Sequence, residues 1–352
     1  MLGILKRENN YDLLRILSCI AVIMIHISSL YTDNLFINVF GYKYNGSLLS
    51  ISIYNCISRF AVPCFMMLSG AFLLDNNANT DLKFFYKKEF KNILKPLIIF
   101  TFIYICERII TTSYHILVND IDCIRLLYPL NGLVVGRPYY HLWYLYILMG
   151  IYLIIPFVMI IKERLSEEVF KRASIIFFIW GIISLWTSQH LLYWDVGSCF
   201  GYFGYFLIGY LIKKDNSNKS KITSYFSIIS GFVVLILLGF IRYLSFIYNN
   251  SMIDEICKSM EGFNPIVAIA SILIFYGFSK LEVKKDFSKL ASCTFYIYLV
   301  HALFIECFRY FIKYCLKFVP EGWYSIPIGV FVVFILSLIV VLIIRKLRKK
   351  IN

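Results

Sequence analysis

Long apolar stretches, separated by short polar and basic segments, follow one another along nearly the whole chain. A helix needs roughly 20 apolar residues to cross the hydrocarbon layer of a bilayer, and most of these stretches are about that long. We therefore predict an all-α, polytopic membrane protein with about ten transmembrane helices, of which the sixth and the eighth are short. The predicted spans are residues 11–30, 51–74, 93–111, 143–161, 173–189, 200–212, 222–243, 265–278, 290–311 and 326–344.

The composition agrees with this pattern. Hydrophobic residues make up 60% of the 352 residues and charged residues only 16%, which is far from the balance of a water-soluble surface. We therefore predict that residues 1–352 form a single integral-membrane domain in contact with a lipid bilayer. The ten cysteines stand singly, without the paired spacing of metal ligands, so no metal site is predicted.

The basic residues predict the orientation of the chain, because cytoplasmic loops of membrane proteins collect Lys and Arg. With a cytoplasmic N-terminus and alternating spans, 24 of the 35 basic residues fall on the cytoplasmic side, six on the outer side and five within spans. We therefore predict that both termini are cytoplasmic. The net charge of +14 then follows from the topology, and no nucleic-acid partner is needed to explain it.

The first span carries two polar residues, Arg15 and His26, that a membrane helix does not need. They are 11 residues apart, which places them on nearly the same helix face and about 16 Å apart along the axis. Ionisable groups inside a bilayer mark functional sites by default. Taken alone, Arg15 also fits an anchor at a helix end, and His26 also fits an interior histidine bonded to a neighbouring helix.

Other spans carry polar residues at a similar depth. Arg59 in the second span lies too deep to reach the interface easily, so it requires an anionic partner or an aqueous cavity. Glu107 in the third span and His301 in the ninth lie near the same level, and we predict that they converge with His26. Arg242 lies near an outer helix end and is read instead as an anchor.

Two further pairs flank this level. Lys91 and Lys95 would form a basic cytoplasmic entrance to the third span, next to Arg15. His141 and Trp143 begin the fourth span at the outer mouth, where they are candidate substrate-binding residues. Trp143 also fits an interfacial aromatic belt, which needs no ligand.

Four segments of the chain carry a family resemblance. They are Arg15-x10-His26, RFAVPCFMMLSGAFLL at residues 59–74, HLWYL at residues 141–145 and LASCTFYIYLVHALF at residues 290–304. In this order, over nearly the whole chain, they resemble the acyltransferase 3 family of bacterial membrane proteins, which includes O-acetyltransferases of surface polysaccharides. The lysines at the entrance of the third span depart from the arginine-rich pattern of many relatives.

The resemblance implies transfer of an acyl group, usually acetyl, from cytoplasmic acyl-CoA to a hydroxyl of an envelope glycan or a lipid-linked sugar. It implies the bacterial cytoplasmic membrane as the location and polysaccharide-synthesis machinery as a candidate partner. By the same resemblance, Arg15 binds the donor phosphates, and His26 either takes the hydroxyl proton or carries the acyl group. Arg59 would stabilise the oxyanion or orient an anionic acceptor.

Two other functions stay open at the level of sequence. An exporter of a surface polysaccharide, or of its lipid-linked precursor, would also place polar residues at the midplane. A scaffold that binds a glycosyltransferase would leave Arg59 and the pair of Arg15 and His26 unexplained. We expect His26→Ala to abolish activity in an acyltransferase and to have little effect on a scaffold.

Overall fold

The computed structural model describes residues 8–32, 47–119, 138–187, 196–215, 220–248 and 264–351. Within these residues every regular element is helical. Short 3-10 and π turns connect several of the helices. The helices are α1 (Asn9–Thr32), α2 (Leu48–Ile57), α3 (Ala61–Leu73), α4 (Leu82–Glu89), α5 (Lys95–Asn119), α6 (Trp143–Arg164), α7 (Glu167–Thr187), α8 (Val196–Lys214), α9 (Lys221–Tyr248), α10 (Pro265–Lys280), α11 (Thr294–Tyr310) and α12 (Gly322–Ile351).

Each of the ten predicted spans overlaps one or more of these helices. The prediction of a helical, multi-pass membrane protein is therefore confirmed, whereas the count of ten and the side of the termini stay predictions. Pro265–Lys280 is apolar but shorter than a full span. Among the described residues, six segments are long and apolar enough to cross a membrane: Asn9–Tyr31, Leu48–Leu73, Trp143–Arg164, Lys221–Tyr248, Thr294–Leu316 and Gly322–Leu347.

The chain divides into two compact units. Unit 1 comprises Met1–Ser69 and Gly209–Asn352, and unit 2 comprises Gly70–Ile208. The boundaries fall inside α3 and α8, so each of these helices contributes to both units. The prediction of a single domain stays a prediction.

In unit 1, α1 packs against α2, α11 and α12. The Cys19 thiol contacts the Thr294 carbonyl at 3.7 Å. About two turns further along both helices, His26 contacts His301. α1 and α11 therefore run in the same direction. The hydroxyl of Tyr31, at the end of α1, bonds that of Ser325, near the start of α12. One turn further along α12, a Cβ atom on Gly329 would lie 3.3 Å from the Ile27 side chain, so α12 runs antiparallel to α1.

A close approach between α9 and α2 positions part of the site. A Cβ atom on Gly239 of α9 would lie 2.8 Å from the Cα atom of Ile53 on α2, closer than real side chains approach. Small residues allow membrane helices to pack backbone to backbone. Gly239 therefore lets the following turn of α9, with Arg242, reach the interior side of α2.

The second predicted span is not a continuous helix. Residues 58–60 form a turn between α2 and α3, where the Arg59 amide bonds the Cys56 carbonyl at 3.1 Å. Pro63 explains the break, because a proline lacks the amide that would bond the carbonyl four residues earlier, and its ring clashes with that carbonyl. That carbonyl belongs to Arg59. The predicted second span is therefore interrupted here, although Leu48–Leu73 as a whole is long and apolar enough to cross a membrane.

Unit 2 contains α4 to α7, together with the end of α3 and most of α8. Lys162 of α6 donates to the Leu74 carbonyl at 2.5 Å, and Tyr86 of α4 donates to the Leu153 carbonyl at 2.6 Å. An apolar cavity of about 500 Å³ lies between α6, α7 and α8. Gly150 lines this cavity and faces open space.

Candidate active site

A pair of histidines lies inside unit 1. The rings of His26 on α1 and His301 on α11 have their centroids 5.5 Å apart and their planes inclined by 30°. His301 is fully buried, and its Nδ1 lies 2.5 Å from the Tyr298 carbonyl oxygen. Because a carbonyl oxygen only accepts, we assign the proton of neutral His301 to Nδ1, which makes Nε2 the acceptor of this ring.

A buried amide joins two arginines beside these histidines. Asn55 of α2 is fully buried, and its Oδ1 accepts hydrogen bonds from Arg59 Nε at 3.0 Å and Nη2 at 2.7 Å. The same oxygen accepts a third bond, from Arg242 Nη1 of α9 at 2.7 Å. Two guanidinium groups from different parts of the chain therefore meet at one neutral oxygen.

The other end of the same amide holds α1. Asn55 Nδ2 lies 3.0 Å from the Ser28 Oγ atom, 3.3 Å from the Ser29 Oγ atom and 3.4 Å from the Ile25 carbonyl oxygen. Ile25 directly precedes His26 in the sequence, and Ser28 and Ser29 follow it by two and three residues. The arginine pair is therefore tied directly to the helical turn that carries His26.

Three of the predicted site residues come together in unit 1. His26 contacts His301, and Asn55 connects Arg59 to the turn of α1 that carries His26. Arg59 is half-buried at the break between α2 and α3. The contact between His26 and His301 is one part of the predicted convergence, whereas the common depth and the catalytic roles of the three residues stay predictions.

Arg15 lies on the same helix as His26, near the N-terminal end of α1. Its Nη1 donates to Asp12 Oδ1 at 3.2 Å, and its side chain is 31% exposed whereas that of Asp12 is 5% exposed. The guanidinium therefore combines an ion pair on one side with a solvent-accessible surface. Its contact with donor phosphates stays a prediction.

The remaining predicted site residues belong to unit 2. Glu107 is half-buried on α5, and the next residue, Arg108, lies over the ring of Tyr139 at 5.0 Å. Lys91 and Lys95 are exposed, in the π turn before α5 and at its first residue. Their exposure is compatible with binding an anionic donor, and their roles stay predictions.

His141 is buried among aromatic rings. Its ring lies 4.9 Å from Tyr104, 5.6 Å from Tyr139 and 5.5 Å from Tyr140, all measured between centroids, and only 1% of the residue is exposed. Trp143 is half-buried at the start of α6. His141 thus occupies a packed cluster rather than an open mouth, although its predicted substrate contact remains untested.

Asn55 and Arg242 were not predicted as site residues from the sequence. Asn55 precedes Arg59 by four residues, which is one helical turn, so the spacing offered a signal for their contact. Arg242 was read as an anchor at a helix end, but it bonds the buried Asn55. That interpretation of Arg242 is wrong, because the close approach at Gly239 brings α9 to the interior side of α2.

Membrane-spanning helices around a histidine pair and a guanidinium cluster define a polytopic membrane protein with a base and cations in its interior. Within the described part of the chain, no three His, Cys, Asp or Glu side chains gather as metal ligands. The sequence matches the acyltransferase 3 family, described as an acyltransferase domain, over residues 8–346. The chain therefore belongs to this family and is an acyltransferase, as its motifs predicted. No curated protein and no solved structure matches it.

Proposed function

We propose that this protein transfers an acetyl group from cytoplasmic acetyl-CoA to a hydroxyl of an envelope polysaccharide or a lipid-linked sugar, in the bacterial cytoplasmic membrane. The observation that supports this most is the position of His26, which contacts His301 and lies on the turn of α1 that Asn55 joins to Arg59. A base and a cation side by side are what acyl transfer to a hydroxyl requires.

The proposed reaction uses His26 as a general base. The acceptor oxygen forms a bond with the thioester carbonyl carbon while His26 takes the hydroxyl proton. Arg59 stabilises the negative charge on the carbonyl oxygen of the tetrahedral intermediate. The carbon–sulfur bond then breaks, and the sulfur takes the proton from His26, so the products are an ester and CoA. In the covalent variant, the His26 nitrogen first attacks the thioester carbon and CoA leaves as a thiolate. The acceptor hydroxyl then takes the acyl group from His26, and the thiolate takes the hydroxyl proton.

His301 supports this chemistry through its neighbour. Because its Nδ1 is held by the Tyr298 carbonyl, Nε2 is the nitrogen that accepts a proton or a hydrogen bond. A neutral acceptor facing the His26 ring favours one orientation of that ring. We therefore assign His301 to orientation of His26 during proton transfer.

The donor is proposed to enter beside Arg15. The partly exposed guanidinium suits charge-assisted bonds to the phosphates of acetyl-CoA. It lies about 16 Å from His26 along α1, a distance comparable to an extended pantetheine arm. Lys91 and Lys95 are proposed to add further positive charge for the same phosphates.

Export of a polysaccharide or its lipid-linked precursor is the second candidate function, and one observation favours it. The break at residues 58–60 puts irregular backbone within a membrane span. Such backbone is tolerated where it lines a cavity, and broken helices carry binding sites in transporters. A cavity also suits acyl transfer, so the two functions are separated by their products.

The test is transfer of labelled acetyl groups by purified protein. We expect protein in detergent micelles, given [14C]acetyl-CoA and an envelope glycan fraction, to place alkali-labile label in the glycan. His26→Ala at equal folded concentration should reduce this label about 100-fold or more, the usual contribution of a general base. Equal labelling by both proteins, or none by either, would contradict the proposal.

A further inference from the structure

We propose that Asn55 is a positioning residue, which holds the guanidinium groups of Arg59 and Arg242 together and ties them to the turn of α1 that carries His26. This inference rests on the proposed function and adds Arg242 to it as a second cation. The pair would act on the negative charge that develops on the acyl carbonyl oxygen.

The orientation of the Asn55 amide is fixed by its neighbours. Guanidinium groups only donate, so the atom facing Arg59 and Arg242 must be the amide oxygen. The Ile25 carbonyl only accepts, so the atom facing α1 must be the amide nitrogen. The partners of the amide oxygen and those of the amide nitrogen require the same orientation. The side chain therefore connects the two arginines to the turn of His26 in one defined way.

Arg59 depends on such a connection because of its place in the backbone. It lies in the turn at residues 58–60, where the regular helix is interrupted. Two of its guanidinium nitrogens, Nε and Nη2, bond the same Asn55 oxygen. This two-point contact fixes the plane of the guanidinium, which a single bond would leave free to rotate.

Asn55 carries no charge, and this distinguishes it from a carboxylate at the same position. A carboxylate at this junction would pair with both arginines and cancel much of their field. An amide offers the same acceptor geometry and brings no negative charge of its own, so Asn55 positions the guanidiniums without weakening their effect on a developing oxyanion. Burial strengthens the effect, because charges interact more strongly away from water.

Asn55→Asp separates the effect of charge from the effect of packing, since it is nearly isosteric, retains an oxygen facing the arginines and adds a negative charge. We expect this variant to reach the membrane folded, because ion pairs with the two arginines offset the bonds to α1 that a carboxylate cannot donate. Its kcat for acetyl transfer should fall about tenfold or more, in the range of lost oxyanion stabilisation. Its KM for acetyl-CoA should change less than about twofold.

Asn79→Asp is the matched control. Asn79 is also a fully buried asparagine, and its Nδ2 bonds the Leu73 carbonyl at 2.7 Å. Because a carboxylate cannot donate to that carbonyl, this variant should be less stable than wild type. Its kcat per folded molecule should stay unchanged, since Asn79 belongs to no part of the proposed site.

A double-mutant cycle shows whether Asn55 acts through Arg59. In an Arg59→Ala background, Asn55→Asp should cause a smaller loss of kcat than it causes in wild type, because only Arg242 is left for the carboxylate to neutralise. Arg242→Lys should retain more activity than Arg242→Gln, since it preserves the charge. Independent, multiplicative losses in the cycle, or wild-type kcat in Asn55→Asp, would overturn the inference while leaving the acetyltransferase function intact. Absence of acetyl transfer by wild type would overturn both.

Discussion

The imidazole rings of His26 and His301 face each other with their centroids 5.5 Å apart, on two helices that run in the same direction. The His301 ring is held by the Tyr298 carbonyl one turn earlier. The Asn55 amide binds the next turn of α1, beyond His26. The catalytic base proposed for this acyltransferase is therefore supported from two sides by neighbouring helices.

The two nitrogens of His301 are predicted to have separate roles. In His301→Asn, the amide can replace Nδ1 as donor to the Tyr298 carbonyl but supplies nothing in place of Nε2. We expect this variant to fold and to lose about 100-fold in kcat. His301→Gln, whose amide reaches toward the Nε2 position, should retain more activity. Full activity in both variants, measured by acetyl transfer at equal folded concentration, would show that His301 only packs.

Arg15 is predicted to govern donor binding rather than chemistry. Arg15→Gln should raise the KM for acetyl-CoA about tenfold or more through loss of a charge-assisted bond, with a smaller change in kcat. Arg15→Lys should lie between, because an ammonium binds phosphate without the bidentate fork. Asp12→Asn is the control, since it removes the ion pair and preserves the cation. An unchanged KM in Arg15→Gln would contradict this role.

A helix contact in unit 1 is predicted to depend on Gly209. An added Cβ atom would lie 2.1 Å from the Met67 carbonyl oxygen and 2.5 Å from its Cα atom, and backbone cannot move aside easily. Gly209→Ala should therefore lower the free energy of unfolding by about 1–3 kcal/mol.

Gly150→Ala is the control for that variant. Its added methyl group meets nothing within 4 Å, and alanine favours helix over glycine by about 1 kcal/mol. We expect this variant to be as stable as wild type or slightly more so, by thermal unfolding in detergent. Equal stability of the two alanine variants would show that the packing at Gly209 is looser than described.

Glu89 is predicted to make stability depend on pH. It lies outside the predicted spans with a side chain 8% exposed, and burial raises the pKa of its carboxyl above the ordinary 4.5, although Lys88 at 3.3 Å partly opposes the shift. The folded state therefore binds the proton more tightly than the unfolded state. Ionised Glu89 destabilises the fold above its folded-state pKa, and this cost disappears as pH falls toward 4.5.

Glu89→Gln should remove that dependence. The variant should unfold at a higher temperature than wild type at neutral pH, and the difference should shrink as pH falls below the folded-state pKa. In a Lys88→Gln background, Glu89→Gln should raise the unfolding temperature at neutral pH by more than it does in wild type, because Lys88 no longer compensates the buried carboxylate. Melting curves in detergent across this pH range test the sign. A difference that grows on acidification would contradict the assignment.

The sequence predicted the helices and the depth of the polar residues, because apolar length and side-chain charge are visible in one dimension. Depth placed His26, Arg59 and His301 at one level. It did not give the lateral neighbours of a helix. Arg242 was therefore misread as an anchor, and Asn55, which is neutral and short, gave no signal of its own.

Two other features needed the packed structure. Pro63 is plain in the sequence, but a proline either kinks or interrupts a membrane helix according to its surroundings. His141 was placed at an outer mouth by its position alone. Its burial against Tyr104 and Tyr139 arises from contacts between α5 and the turn before α6, which no local pattern encodes.

The central claim is tested most directly by the O-acetyl content of envelope glycans, measured by mass spectrometry in cells lacking this gene. The cells are complemented with wild type or with His26→Ala at matched membrane levels. We expect wild type to restore the ester-linked acetyl groups and His26→Ala not to restore them, with equal amounts of polymer. Unchanged acetylation in every strain, together with a loss of surface polymer on deletion, would contradict it and favour export.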